Sequence, residues 1–99
     1  MTKLPVPTLH LNGTGGQQLV EGIIDSLDGL NCAMRILSLN APNARDYYPQ
    51  GPKAINLALE WHRARLRKLR EVKEELEEIG LYIQDEMQRQ SELKAKNAG

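Results

Sequence analysis

The chain has 99 residues, with 13 basic and 13 acidic side chains and a formal net charge of zero. This length accommodates a single small domain, and the balanced charge argues against a dedicated nucleic-acid-binding protein, which usually carries a basic excess. With no Phe and one Trp, the core is expected to be aliphatic. The single cysteine, Cys32, excludes an internal disulfide and a multi-cysteine zinc site, and we expect it to be small core filler.

The sequence predicts neither a membrane protein nor a secreted one. No apolar run approaches the roughly 18 residues needed to span a bilayer. The N-terminal Met-Thr-Lys-Leu-Pro-Val-Pro segment lacks the apolar region of a secretion signal. We therefore expect a soluble protein of the cytoplasm without a membrane partner.

Residues 1–13 are predicted to form an extended N-terminal arm, because Pro5 and Pro7 oppose helix formation. Residues 8–12 alternate polar and apolar side chains, as in a short edge strand or a docked extended arm. Asn12-Gly13 is a turn signal.

A first helix is predicted over residues 14–40. Thr14 and Gln17 fit a capping box at its start. Apolar residues then recur at alternating steps of three and four, at Val20, Ile23, Leu27, Leu30, Met34 and Leu37. Gly22 and Gly29 interrupt good helix formers, so a closely approaching neighbour or a bend is expected there.

A second helix is predicted over residues 52–93, after a linker at residues 41–51. Pro52 favours the first helical position, and residues 94–99 are expected to fray. The apolar stripe of this helix is Ile55, Leu59, His62, Leu66, Leu69, Val72, Leu76, Ile79, Ile83 and Met87. The predicted fold class is all-α: a long antiparallel helical hairpin, residues 14–93, with an extended N-terminal arm.

The two predicted helices differ in length, at roughly 39 Å and 60 Å. About 20 Å of the second helix would then lack an internal partner, although its apolar stripe continues through Ile79, Ile83 and Met87. An overhanging apolar seam is most easily buried against another subunit, which predicts a homo-oligomeric helical bundle. The alternative is that the arm folds back and covers the overhang.

Charges on the second helix are segregated. A basic block contains Arg63, Arg65, Arg67, Lys68 and Arg70, and an acidic block contains Glu71, Glu74, Glu75, Glu77 and Glu78. The blocks suit pairing across an antiparallel homodimer. We favour, for most of these charges, a solvated face with pairs such as Arg67–Glu71 and Arg70–Glu74. Arg63 is kept as a candidate ligand of phosphate, which the arginine fork suits.

The linker holds the main candidate ligand site. Arg45 suits a phosphate or carboxylate, Asp46 can accept from a ribose hydroxyl, and the rings of Tyr47 and Tyr48 can stack on a base. The amide of Asn43, with those of Asn40 and Gln50, suits base edges. The structural alternative is a turn at Pro42-Asn43, a local Arg45–Asp46 pair, and tyrosines that cover the helix ends.

Asn12 and Thr14, at the start of the first helix, would also suit an anion. In a hairpin they lie at the end opposite the linker, so a shared site requires an antiparallel neighbour that contributes these residues or Arg63.

No catalytic signature is present, and we expect a protein that is not an enzyme. His62 is predicted to be a buried histidine satisfied by a neighbour. Only one other histidine, His10, occurs, and no His/Asp/Glu set has metal-ligand spacing. No nucleophile has a recognisable base partner. We therefore expect no catalytic residue, no metal and no cofactor.

Three segments resemble a family of small proteins encoded by tailed bacteriophages. They are Leu9-His-Leu-Asn-Gly-Thr14, Ala41-Pro-Asn-Ala-Arg-Asp-Tyr-Tyr-Pro-Gln-Gly51 and Glu60-Trp-His-Arg-Ala-Arg-Leu66. The family usually has glycine where this chain has Ala44. The resemblance implies a phage accessory protein acting in the host bacterial cytoplasm, and it supplies no mechanism.

Two functions follow as hypotheses. The first is an anti-defence binding protein, a sponge that sequesters a nucleotide-derived immune signal in an oligomer pocket, by analogy with phage sponges of similar size and helical character. The second is an inhibitor or adaptor that binds a host defence or replication protein through the second helix. A third, weaker hypothesis, a nucleic-acid accessory protein, conflicts with the zero net charge and the adjoining glutamates.

Overall fold

The computed structural model describes residues 3–98 and contains two long helices joined by a structured linker. Helix α1 spans Gly16–Leu39 and helix α2 spans Ala54–Ala98. They run antiparallel, because Gly16 lies against Met87 near one end and Ile23 lies against Gly80 further along. The predicted all-helical hairpin is thus confirmed. No strand forms within residues 3–98: residues 3–10 of the arm have no regular secondary structure, and Leu11 and Asn12 form a turn.

The start of α1 is set by packing rather than by the predicted capping box. The N-cap is Gly15, without a side-chain cap, and not Thr14. Gln17 donates instead to Glu21 at 3.4 Å. A Cβ on Gly16 would lie 2.6 Å from Cγ of Met87, so the absence of a side chain at Gly16 permits the close approach of α2 that fixes this end of α1.

The linker is ordered by two short 3-10 helices, over Ala44–Asp46 and Tyr48–Gln50. Asn40 closes α1: its backbone N–H donates to the carbonyls of Ile36 and Leu37, and its side chain donates to Ile36 at 2.8 Å. Gly51 has φ +113°, a conformation that only glycine adopts without strain, and it turns the chain into α2.

Helix α2 begins later and ends later than the sequence predicts. Pro52 and Lys53 form a turn, in which the N–H of Ala54 donates to the carbonyl of Gly51 at 3.3 Å, so Pro52 is not the first helical residue. At the other end the helix continues to Ala98, through the segment predicted to fray. Helix formers such as Leu93, Lys94 and Lys96 extend it.

The predicted overhang is wrong for Ile83 and Met87, whereas Ile79 is half-buried. The linker occupies the first turns of α2, which moves the point where α1 pairs with α2 towards the C-terminus. Ile83 is consequently only 1% exposed, and Met87 contacts Gly16. Beyond Met87 the arm packs on α2, where Gln90 Nε2 donates to the carbonyl of Leu9 at 3.3 Å.

The core between the helices is thin. Within residues 3–98, Val20 and Ile83 are the buried hydrophobic side chains, and Gly80 is buried against Ile23. Cys32 is exposed and is not core filler. The close approaches expected at Gly22 and Gly29 are absent, because a Cβ at either position would meet nothing within 4 Å.

One ion pair forms among residues 3–98, between Arg89 and Glu86 on one face of α2. Arg89 Nε donates to a Glu86 carboxylate oxygen at 3.1 Å, and this hydrogen bond lowers the pKa of Glu86. The predicted Arg67–Glu71 and Arg70–Glu74 pairs do not form. Neither α1 nor α2 contains a stretch sufficiently long and apolar to cross a membrane.

Leucine at position 80 tests the close approach of the helices. In Gly80→Leu even the Cβ would lie 3.2 Å from Ile23 Cγ2, so the free energy of unfolding should fall by about 1–3 kcal/mol. Gly29→Leu, a matched change in open space, should raise it by up to about 1 kcal/mol through helix propensity. Urea unfolding followed by circular dichroism measures both. Equal effects at the two positions would contradict the packing described here.

Candidate functional site

The linker folds onto the first turns of α2 and forms a shallow groove of about 610 Å³ with the end of α1. We call it the linker groove. Its walls are Leu37, Asn40, Ala41, Pro42, Asn43, Asp46, Tyr47, Gln50, His62 and Arg65. Three of the ligand-binding residues predicted from the sequence therefore share one surface: Asn43, Asp46 and Tyr47.

Backbone hydrogen bonds fix the linker side of the groove. The Oδ1 of Asn43 accepts from the N–H of Arg45 at 3.0 Å, and the N–H of Asp46 donates to the carbonyl of Asn43 at 3.0 Å. This arrangement is an Asx cap on a tight turn. The Asn43 carboxamide nitrogen is not needed for that cap and can donate to a ligand.

Two consecutive tyrosines have different environments. Tyr47 is half-buried and lies between the linker groove and a smaller hollow of about 250 Å³, which is also lined by Trp61 and Arg65. Tyr48 is largely exposed. The Tyr47 ring, held against α2, is thus the tyrosine with a fixed position, and its neighbours offer an indole face and a guanidinium.

His62 forms part of the groove wall and is only 6% exposed. Its Nε2 atom is buried and has no hydrogen-bond partner in the protein, so the prediction of a satisfied histidine is wrong. Leaving a buried polar atom unpaired costs about 1–3 kcal/mol. The linker groove therefore has in its wall a polar group for which residues 3–98 supply no partner.

Several residues proposed from the sequence lie outside this groove. Arg45 and Tyr48 are exposed on the linker and do not line it. Arg63 is exposed on α2, whereas Arg65, two residues later, lines the groove. Arg65 and His62 were not predicted as ligand-binding residues. The sequence feature that could have indicated them is their spacing: His62 and Arg65 are three residues apart, close to Trp61, and so lie on one face of the helix.

Asn12 and Thr14 lie at the other end of the hairpin. Thr14 lines a second groove, of about 870 Å³, between the arm and the last turns of α2. Asn12 is exposed in a turn closed by Gly13 N–H donating to the His10 carbonyl at 3.1 Å. The 24 residues of α1 separate this end from the linker groove by about 36 Å, so one chain cannot unite the two sets.

The second groove is larger but its wall is more apolar, since Leu9, Leu11, Met87 and Leu93 contribute to it. The linker groove combines a carboxylate, a guanidinium, an imidazole, carboxamides and a phenol ring, which are the groups that orient a polar ligand. No three His, Cys, Asp or Glu side chains in the described part of the chain cluster tightly enough to hold a metal ion.

Comparison with protein-family models, with curated proteins and with solved structures gives no match.

Replacing His62 tests the cost of its unpaired nitrogen. His62→Leu removes the buried polar atom while filling similar space, so the free energy of unfolding should rise by about 1–3 kcal/mol. His62→Ala leaves a cavity and should lower it. Thermal and urea unfolding of both variants provide the comparison. A His62→Leu protein as unstable as His62→Ala would show that the imidazole is already satisfied.

Proposed function

We propose that this protein is a non-enzymatic binding protein that sequesters a nucleotide-like small molecule in the linker groove. The observation that carries the proposal is the juxtaposition of Arg65, Asp46 and Tyr47 with the buried, unpartnered Nε2 of His62. A site with unmet hydrogen-bonding capacity beside an aromatic ring favours a ligand that has both polar and planar parts.

Each group has a defined role in the proposal. The guanidinium of Arg65 binds a phosphate through two parallel N–H donors. The ring of Tyr47 stacks on a base, a contact worth about 1–3 kcal/mol in single-strand binders. Asp46 accepts hydrogen bonds from a ribose hydroxyl or an exocyclic amine, and His62 forms part of the wall beside them.

The size of the groove suits a nucleotide. Ligand sites usually enclose about 300–1,000 Å³ and bury most of the ligand surface. The linker groove has the volume, at about 610 Å³, but the linker and two helices bound it on one side only. The proposal therefore includes a homo-oligomer in which another subunit supplies the missing wall.

The resemblance of the linker motif to phage proteins gives the proposal its context. In this context the ligand is a nucleotide-derived immune signal in the cytoplasm of an infected bacterium, and the protein acts as an anti-defence sponge. Sequestration removes the signal by binding alone, so the mechanism requires neither a nucleophile nor a metal.

A second function is favoured by a separate observation. Leu57, Trp61, Val72 and Tyr82 are large apolar side chains exposed on α2. A surface of this kind suits a protein partner, as expected for an inhibitor or adaptor of a host defence or replication protein. The first function requires a nucleotide-like ligand and the second a protein partner. Titration with nucleotides therefore distinguishes the two functions.

Calorimetric titration with cyclic di- and trinucleotides, ADP-ribose and AMP tests the ligand class. At least one should bind, and Arg65→Ala and Tyr47→Ala should each weaken that binding about tenfold or more, since each removes a contact of about 1–3 kcal/mol. Arg63→Ala, the same change two residues away on the exposed face, should leave the affinity unchanged.

Circular dichroism confirms that the variants retain their helices. Binding of none of these probes would remove the nucleotide class and favour the protein-partner function. Equal losses in Arg63→Ala and Arg65→Ala would remove the assignment to the linker groove.

A further inference from the structure

Helix α2 carries a second apolar face besides the one packed on α1. Leu57, Trp61, Val72 and Tyr82 are 57%, 58%, 43% and 40% exposed. At 3.6 residues per turn their positions fall within an arc of about 80° around the helix axis, so the four side chains lie along one stripe. Residues between these four that lie on the same face, at steps of three or four, belong to the same stripe. We call the whole stripe the outer seam: Leu57, Trp61, Ala64, Lys68, Val72, Glu75, Ile79 and Tyr82.

The chain exposes more surface than a monomer of its size normally does. Its accessible area is 7989 Å², about 2,300 Å² above the value expected for a folded monomer of this mass. A stable protein–protein interface buries about 1,200–2,000 Å² in total, and obligate homodimers bury more. The surplus on each chain is thus sufficient for a dimer interface.

The outer seam is complementary to itself in one direction. If a second copy of α2 runs antiparallel about a point near residue 70, then Leu57 faces Tyr82 of the partner subunit. In the same register Trp61 faces the partner's Ile79 and Lys68 faces the partner's Val72. Each seam position then lies within one residue of a seam position of the partner, because the paired residue numbers all sum to 139 or 140.

The charged blocks select the same register. In the antiparallel arrangement about residue 70, Arg65 lies level with the partner's Glu75 and Arg67 lies about half a turn from the partner's Glu71, whereas Arg70 lies level with its own copy at the centre. Within the described chain, the single ion pair, Arg89–Glu86, involves neither block. A parallel arrangement would place like charges side by side, which is destabilising.

We infer that the outer seam of α2 is the docking surface for a second copy of this chain, which binds antiparallel in a register set by the two charge blocks. The inference rests on the homo-oligomer of the proposed function and not on the identity of the ligand.

This dimer also completes the proposed ligand site. The linker groove contains His62 and Arg65 of α2, which in this register lie level with residues 75–78 of the partner's α2. That helix supplies a wall on the open side of the groove. Asn12 and Thr14 of the partner subunit lie at the far end of its hairpin, near the second groove, and are not part of the site.

Charge exchange tests the electrostatic register. One variant carries Arg65→Glu and Arg67→Glu, and the other carries Glu71→Lys and Glu75→Lys, because these four residues lie on or beside the outer seam. In sedimentation velocity at low salt the wild type should be a dimer. Each variant alone should dissociate at least tenfold more readily, since like blocks now meet. A mixture of the two variants should form a 1:1 heterodimer.

Circular dichroism of the mixture confirms that both variants are helical when paired. A wild-type monomer at all concentrations would overturn both this inference and the proposed assembly. A wild-type dimer whose variants associate unchanged, or whose mixture forms no heterodimer, would overturn the charge-set register while leaving assembly intact. The nucleotide titrations are independent, so failure of ligand binding is distinguishable from failure of the dimer.

Disulfide cross-linking tests the direction of the helices. In a Cys32→Ser background, Leu57→Cys mixed with Tyr82→Cys should give a covalent heterodimer on mild oxidation, because these positions face one another across the dimer. Each protein oxidised alone should give almost none, since identical positions then lie about 37 Å apart along the helix. Self-linked homodimers of either protein, without the mixed product, would show a parallel arrangement and overturn the inference.

Discussion

The structure depends on one constraint: two helices side by side can each bury only one face. Within residues 3–98 that contact buries two hydrophobic side chains, Val20 and Ile83, with Gly80 between the helices. The molecule measures 74 × 26 × 21 Å with a radius of gyration of 20.7 Å, against about 13 Å for a compact domain of this length. Most of its apolar surface is therefore half-buried, and little of it is removed from water by the hairpin alone.

The position of the candidate site follows from how the linker uses α2. The linker packs on the first turns of α2, so α1 stops at Leu39 and pairs with later turns. That packing creates the linker groove and places His62 and Arg65 in its wall. The same shift covers Ile83 and Met87, which a simple comparison of helix lengths leaves exposed. The packing of the linker on α2 thus explains both why the groove forms and why Ile83 and Met87 are not left exposed.

Hydrophobic periodicity was sufficient to predict both helices and the hairpin, because each apolar stripe marks the face that packs. Helix ends were less predictable, because a tertiary contact at Gly16 outweighs the local chemistry of Thr14 and Gln17. The sequence also could not show which helical glycine packs against the other helix. Helix propensity marks both Gly22 and Gly80 as unfavourable in a helix, but only Gly80 lies against a side chain of the opposite helix. For the same reason the exposure of Cys32 could not be read from its apolar surroundings.

The candidate site also contains some residues that the sequence indicated and others that only the structure shows. Asn43, Asp46 and Tyr47 stood out from composition, because the linker is richer in polar and aromatic groups than a connection requires. His62 and Arg65 join them only through the direction in which the linker folds back, which no local pattern encodes. The unpaired Nε2 of His62 and the exposed outer seam of α2 both point to surfaces that a second molecule completes.

The dependence of the melting temperature on protein concentration tests this account most directly. If the thin hairpin is stabilised by burying its outer seam against a second copy, unfolding is coupled to dissociation. The melting temperature, followed by circular dichroism, should then rise steadily from micromolar to millimolar protein. A cooperative transition at the same temperature over that whole range, with the chain sedimenting as a monomer, would contradict the account.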